Sequence, residues 1–215
     1  MTALKDYART VDLASRQDGI VTRQQLLRWG VHPSSIPRML ADETVLQRLG
    51  RGVYDVPPVF DMAFGLDPFP GFLRADWEAL CRNLMTAEKR DDATAISIGV
   101  FSHYTASQLH GTWDLPDDLH MTCPTSRRVD GYTVHVAPVD PAEVVWINGL
   151  PVTSLERTTY DLGHMEHIDG EHRARWMRDM VKRHGWTIER VCQVMGPVAT
   201  EESLWYFEEK MGLVA

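Results

Sequence analysis

Pro37 limits where a helix can begin in the segment around it. A proline inside a helix loses a backbone hydrogen bond and clashes with the preceding turn, whereas in the first turn its missing N–H costs little. The helix therefore begins near Ser34 or Ser35, one of which supplies the N-cap, and runs through Arg38, Met39 and Leu40 to about Asp42. The flanking sequence is punctuated as densely. Tyr7, Val11, Leu13 and Ala14 mark a helical stripe that Asp18-Gly19 stops. Thr22 is placed to cap a short second helix over 23–29, which Gly30 closes, and Val31-His32-Pro33 makes a tight turn. After the third helix, residues 45–49 and 53–56 read as strands joined through Gly50-Arg51-Gly52. Three helices followed by a hairpin predict a winged helix-turn-helix.

Such a module reads DNA with the start of its third helix in the major groove, while the hairpin lies on the backbone or in the minor groove. Base contacts are expected from Ser34, Ser35 and Arg38, with His32 and Gln24 nearby, and backbone contacts from Arg23, Arg48, Arg51 and Tyr54. Between Thr44 and Tyr54 the only charged side chains are Arg48 and Arg51, both positive, and the glycines beside Arg51 let the tip come close to phosphates. The competing reading is a small interaction module in which these arginines are merely solvated.

Charge refines the picture. The 215 residues hold 22 Lys+Arg and 30 Asp+Glu, a net of −8, which argues against a uniformly basic DNA-coating protein. The deficit is uneven: residues 1–60 hold 8 basic and 6 acidic side chains, a net of +2, leaving −10 for the rest. Four prolines and two glycines between 55 and 71 read as a boundary, so the expected organisation is a DNA-binding domain over 1–60, a linker over 61–71 and a larger mixed α/β domain over 72–215, an α+β chain overall. The longest apolar runs fall far short of the roughly 20 residues a membrane helix needs, and no secretory signal is visible, so no membrane partner and a cytoplasmic location are expected. Cys81, Cys123 and Cys192 are too far apart to suggest a disulfide or a zinc knuckle.

In the second part, the apolar spacing over 73–89 predicts one amphipathic helix. Strands are expected at 95–101, 119–123, 131–136 and 146–152, the last turning at Asn148-Gly149. Ser102 is placed to cap a helix over 103–110. Thr153 through Glu156 reads as a capping box, and further helices are expected over 171–184, 188–195 and 201–211. His103 and His110 lie two helical turns apart, too far to chelate one ion, and His164-x-x-His167 sits in a loop-like run. Solvated or capping roles are therefore expected for these and for His120, His135 and His172, with no metal and no other cofactor. Glu156, Arg157 and Asp161 are expected as a cap and a helix-surface ion pair, and no nucleophile or phosphate-loop motif is present, so no catalytic residue is assigned.

Three blocks in order resemble the AbiEi-type antitoxins of bacterial abortive-infection and toxin–antitoxin systems: GIVTRQQLLRWGVHPSSIPRMLADETVLQRLGRGVYDVP, then SHYTASQLHGTWDLP at 102–116, then INGLPVTSLERTTYDL at 147–162. The resemblance covers roughly residues 15–165. It implies a winged-helix regulator, and the leading expectation is repression of its own operon at operator DNA; because a winged helix of this size makes few contacts as a monomer, inverted-repeat operators and two copies, dimeric on DNA, are expected. It also implies a neighbouring nucleotidyltransferase-like toxin, neutralised without stable contact. Longer relatives continue past a glutamate-serine segment like Glu202-Ser203 into a nuclease-like fold, and that activity is not carried over. Two alternatives stay open: a stand-alone winged-helix repressor with a ligand-sensing or dimerising second domain, and a nuclease or nucleotidyltransferase.

Overall fold

The computed structural model describes residues 2–65, 69–111, 118–166, 168–197 and 204. It divides into two compact units, Met1–Thr94 with Asn148–Leu150, and Ala95–Ile147 with Pro151–Ala215.

The first unit opens with α1 (Thr2–Ser15), β1 (Ile20–Thr22), α2 (Arg23–Arg28) and α3 (Ser35–Leu40), followed by β2 (Gln47–Gly50) and β3 (Val53–Asp55). The strands form an antiparallel sheet in the order β1-β3-β2, the topology of a winged helix with β2 on the edge. β1 was not expected, since its three residues lie between a turn and a cap. Thr22 caps α2 as expected: its hydroxyl accepts from Gln25 N–H while Gln25 Oε1 accepts from Thr22 N–H. Leu13, Ala14, Val21, Leu26, Val31, Ile36, Met39, Leu46, Tyr54 and Val56 share one core. Only three of the ten, Leu26, Ile36 and Met39, come from α2 and α3, so these six-residue helices gain their stability from burial against the rest of the module and little from their own length.

The linker expected at 61–71 is corrected. Pro57 and Pro58 occupy the first turn of α4 (Pro57–Phe64), and Pro70 that of α5 (Phe69–Leu80), where a missing N–H is tolerated. Phe60 wedges between two glycines: a Cβ at Gly19 would lie 2.4 Å from Phe60 N, and one at Gly71 would lie 2.5 Å from its ring. The first unit therefore extends to Thr94, beyond the boundary expected at residue 60. The single helix expected over 73–89 is also two pieces, α5 and α6 (Thr86–Lys89). The break frees backbone carbonyls that the helix-turn-helix takes up. Thr22 Oγ1 donates to Arg82 O at 2.7 Å and Gln25 Nε2 to Leu84 O at 2.8 Å.

A buried polar network backs this brace. Gln25 Nε2 also donates to Glu78 Oε2 at 2.8 Å, and Gln17 Nε2 donates to Gln25 Oε1 at 3.0 Å. Lys89 Nζ stands 2.5 Å from Glu78 and 3.1 Å from Gln17 Oε1. Burial pushes the Lys89 ammonium below its ordinary pKa, and the Glu78 carboxylate pulls the other way.

The second unit begins with α7 (Asp92–Ile98), which starts two residues before Thr94, then β4 (Val100–Phe101), α8 (His103–Leu109), β5 (Leu119–Cys123) and β6 (Tyr132–Val136). β7 (Val144–Ile147), β8 (Leu150–Thr153), α9 (Leu155–Gly163), α10 (Gly170–His184) and α11 (Ile188–Met195) follow. The mixed sheet runs β6-β5-β4-β8-β7, with β4 antiparallel to β5 and parallel to β8, and β5 parallel to β6. Tyr104, Leu162, Trp176, Met177, Met180, Val191 and Met195 lie in its helical core. The strand expected over 95–101 is mostly helix, because Asp91 Oδ2 accepts from Thr94 N–H at 2.8 Å and starts α7, leaving two residues for β4. Ser154, one residue later than expected, caps α9, so Glu156 is exposed, 3.5 Å from Arg190. Arg157 and Asp161 pair at 2.8 Å as expected, but the carboxylate is buried. The helix expected over 201–211 falls, apart from residue 204, outside the described residues, as does His167.

Candidate nucleic-acid interface

α2 and α3 form the turn motif, and β2 and β3 form the wing. Gly30 closes α2 at φ +83°, and the chain re-enters helix at Ser35. The wing is kinked by a register shift between Arg48 and Gly50 and turns at Gly52, whose φ of +76° a side chain would strain. Gly52 O accepts from Arg23 N–H at 2.9 Å, so the wing tip is tied to the first residue of α2.

The residues expected to touch DNA fall into two groups. Arg23, His32, Ser34, Arg38, Arg48 and Arg51 are exposed. Ser34 does not cap α3 with its side chain. Its hydroxyl lies 2.7 Å from His32 Nδ1, and its N–H donates to that same nitrogen at 3.2 Å, so the two surface side chains hold one another. Arg48 lies over the Tyr54 ring, 5.7 Å from its centroid, which presents the guanidinium on the edge strand.

Three expected contacts are corrected. Ser35 is buried and donates to Asp6 Oδ2 at 2.6 Å; this bond, ahead of the His32 N–H and Arg9, holds the Asp6 carboxyl below its ordinary pKa. Tyr54 is 3% exposed, so its ring serves as a core residue and as the seat of Arg48. Gln24 is half-buried, and its Oε1 is buried without a hydrogen-bond partner among the described residues.

The arginines of the module sort by partner. Arg9 pairs with Asp6, Arg16 with Asp12, and Arg28 with Glu88, whose carboxylate takes two bonds at 3.0 and 3.1 Å. Among the described residues, Arg23, Arg38, Arg48 and Arg51 enter no ion pair. Positive charge without an ion-pair partner among the described residues thus gathers on the start of α2, the exposed side of α3 and the wing.

One constellation escaped the sequence analysis. His103 and His120 are buried and His135 half-buried, and ligand atoms of all three lie within 4.8 Å of one another, so the solvated or capping roles expected for them are corrected. The nearest sequence spacing among them is 15 residues, and only the parallel pairing of β5 with β6 and the start of α8 bring them together.

The order α1-β1-α2-α3-β2-β3, with arginines free of ion pairs on the third helix and the wing, defines a winged helix with an exposed positive face. Residues 9–57 are similar to a family of transcriptional regulators described as AbiEi antitoxins. The match ends at Pro57 and so covers the winged helix alone. No curated protein matches the chain.

Proposed function

We propose that the chain is a DNA-binding antitoxin that represses its own toxin–antitoxin operon through the winged helix and neutralises a cognate nucleotidyltransferase-like toxin. The observation that carries the DNA-binding part is the set of four exposed arginines without ion pairs, Arg23, Arg38, Arg48 and Arg51, in a module whose other arginines are neutralised internally. The family match supports the regulatory and antitoxin part. Inverted repeats are the expected operator form, since a six-residue recognition helix offers few base contacts and two copies on DNA double them.

The test is binding of full-length protein to the DNA upstream of its own gene, against shuffled DNA, over a range of salt. Preference for the upstream sequence, with protection of two half-sites, supports the reading; equal affinity for both DNAs overturns operator recognition. Co-expression with the neighbouring gene product tests neutralisation, and growth arrest that the chain does not relieve removes the antitoxin role. A second reading, a winged-helix repressor with a ligand-sensing second domain, draws support from a cavity of about 550 Å³ in the second unit, lined by His103, His120, His135 and His164.

A further inference from the structure

His103 opens α8 at φ +51°, a backbone conformation that few non-glycine residues adopt. Its ring stacks on that of His135 with centroids 3.5 Å apart, and His120 Nδ1 stands 2.8 Å from His135 Nε2. The other ring nitrogen of His120, Nε2, is buried without a hydrogen-bond partner among the described residues. The cluster opens on the cavity that Asp118, His164 and Glu166 also line.

We propose that His103, His120 and His135 form a binding site for one divalent transition-metal ion of the zinc class, with a fourth coordination position open to the cavity. All three histidines belong to the second unit. A tetrahedral ion with Zn–N bonds near 2.0–2.1 Å keeps its ligand nitrogens ~3.4 Å apart. The 2.8 Å pair opens by about half an ångström to meet this, and the widest pair, at most 4.8 Å, closes by about 1.4 Å. The three rings lie nearly parallel, at 10°, 17° and 23° to one another, so binding also requires them to turn about their side-chain torsions until the ring nitrogens converge.

The surroundings fit an imidazole site. Only neutral imidazole binds a metal, and burial together with the neighbouring rings disfavours the charged form of these histidines. His103 Nδ1 lies 2.9 Å from Ser102 Oγ, which accepts from Thr122 Oγ1 at 2.8 Å, leaving Nε2 as the free donor of that ring. Asp161 Oδ2, buried and without a hydrogen-bond partner among the described residues, stands 3.9 Å from the same Nδ1 and adds a carboxylate behind the histidine. An all-nitrogen donor set selects zinc, cobalt or nickel over magnesium or calcium, which require oxygen ligands. An open fourth position admits water or an anionic ligand from the cavity.

The test uses chelator-treated, full-length protein titrated with Co2+, read by the visible absorption of four-coordinate cobalt, and then displaced by Zn2+. The expected result is one ion per chain. His135→Ala, on the edge strand and half-exposed, should weaken binding at least about 10-fold with unchanged circular dichroism, whereas His172→Ala, away from the cluster, should leave it unchanged. If His135→Ala does not fold, X-ray absorption of the Zn2+-loaded wild type decides: imidazole ligands support the site and an oxygen-only shell overturns it. Absence of stoichiometric binding by the wild type, or full binding by folded His135→Ala, also overturns it. None of these outcomes bears on DNA recognition, which rests on the first unit.

Discussion

Single side chains divide the winged helix into those that carry it and those that face outward. Arg48 and Arg51 are exposed and enter no ion pair among the described residues, so on the proposed DNA-binding reading each would neutralise phosphate without reading sequence. Replacing both with alanine should weaken binding to operator and shuffled DNA alike and reduce the slope of log affinity against log salt by about two. An unchanged slope would remove the wing from the interface. Arg38→Ala should instead cost about 1–3 kcal/mol on operator DNA and relax preference at one base position, read by binding to a panel of single-base operator variants. Ser35→Ala belongs to the other class. It removes the hydroxyl that stabilises the Asp6 carboxylate, so it should lower thermal stability while leaving the salt slope alone. The lowered Asp6 pKa contributes stability above the unfolded carboxyl pKa, and that contribution is lost as pH falls through the folded value. The variant should therefore lose less stability on acidification than the wild type. Sequence could not separate Ser34 from Ser35, because both satisfy the rule for an N-cap. Only the approach of α1 decides which of them faces Asp6.

Helices α5 and α6 turn the winged helix into a larger unit. Glu78 is fully buried and is held by Lys89, Gln25 and Arg74, with Arg74 Nε 3.6 Å from its Oε1. Removing one partner of a buried pair leaves an uncompensated charge. Lys89→Ala should therefore destabilise the first unit by about 3–5 kcal/mol, while Arg16→Ala, which breaks the exposed pair with Asp12, should cost under about 1 kcal/mol. Urea denaturation of the two variants compares them, and equal losses would mean that the network carries no special weight. The core winged helix was legible because turns, caps and Pro37 act locally. The brace was not, because Pro57, Pro58 and Pro70 were weighed as breakers, although the rule applied to Pro37 makes each of them a helix-start residue. Residues 95–101 failed for a related reason: a short apolar run has no decisive period, and the Asp91 cap lies outside it.

At the scale of the whole chain, the net charge of −8 averages a slightly basic N-terminal segment with an acidic remainder, and acid stability follows a different division, set by buried histidines. His103 and His120 are held neutral, with pKa values lowered to about 2 and about 4, chiefly by burial. Below the ordinary histidine pKa near 6.5, the unfolded chain takes up protons that the folded second unit refuses, so its stability falls with pH. Between about pH 6 and pH 4.5 each of the two contributes a loss of at most about 1.4 kcal/mol per pH unit. Asp161 opposes this, because burial raises its pKa and favours the folded state on acidification, but one carboxyl stands against four imidazoles, since burial lowers His110 and His135 as well. In the first unit, the lowered Asp6 pKa confines its proton uptake to still lower pH. Metal-free protein brought from pH 7 to pH 4.5 should therefore lose the signals of β5, β6 and α8 at lower urea than those of α2 and β3, as followed by residue-resolved NMR. His120→Gln should reduce the pH slope of that first transition. A single transition at both pH values, with the same slope in the variant, would mean that the buried histidines do not control acid stability.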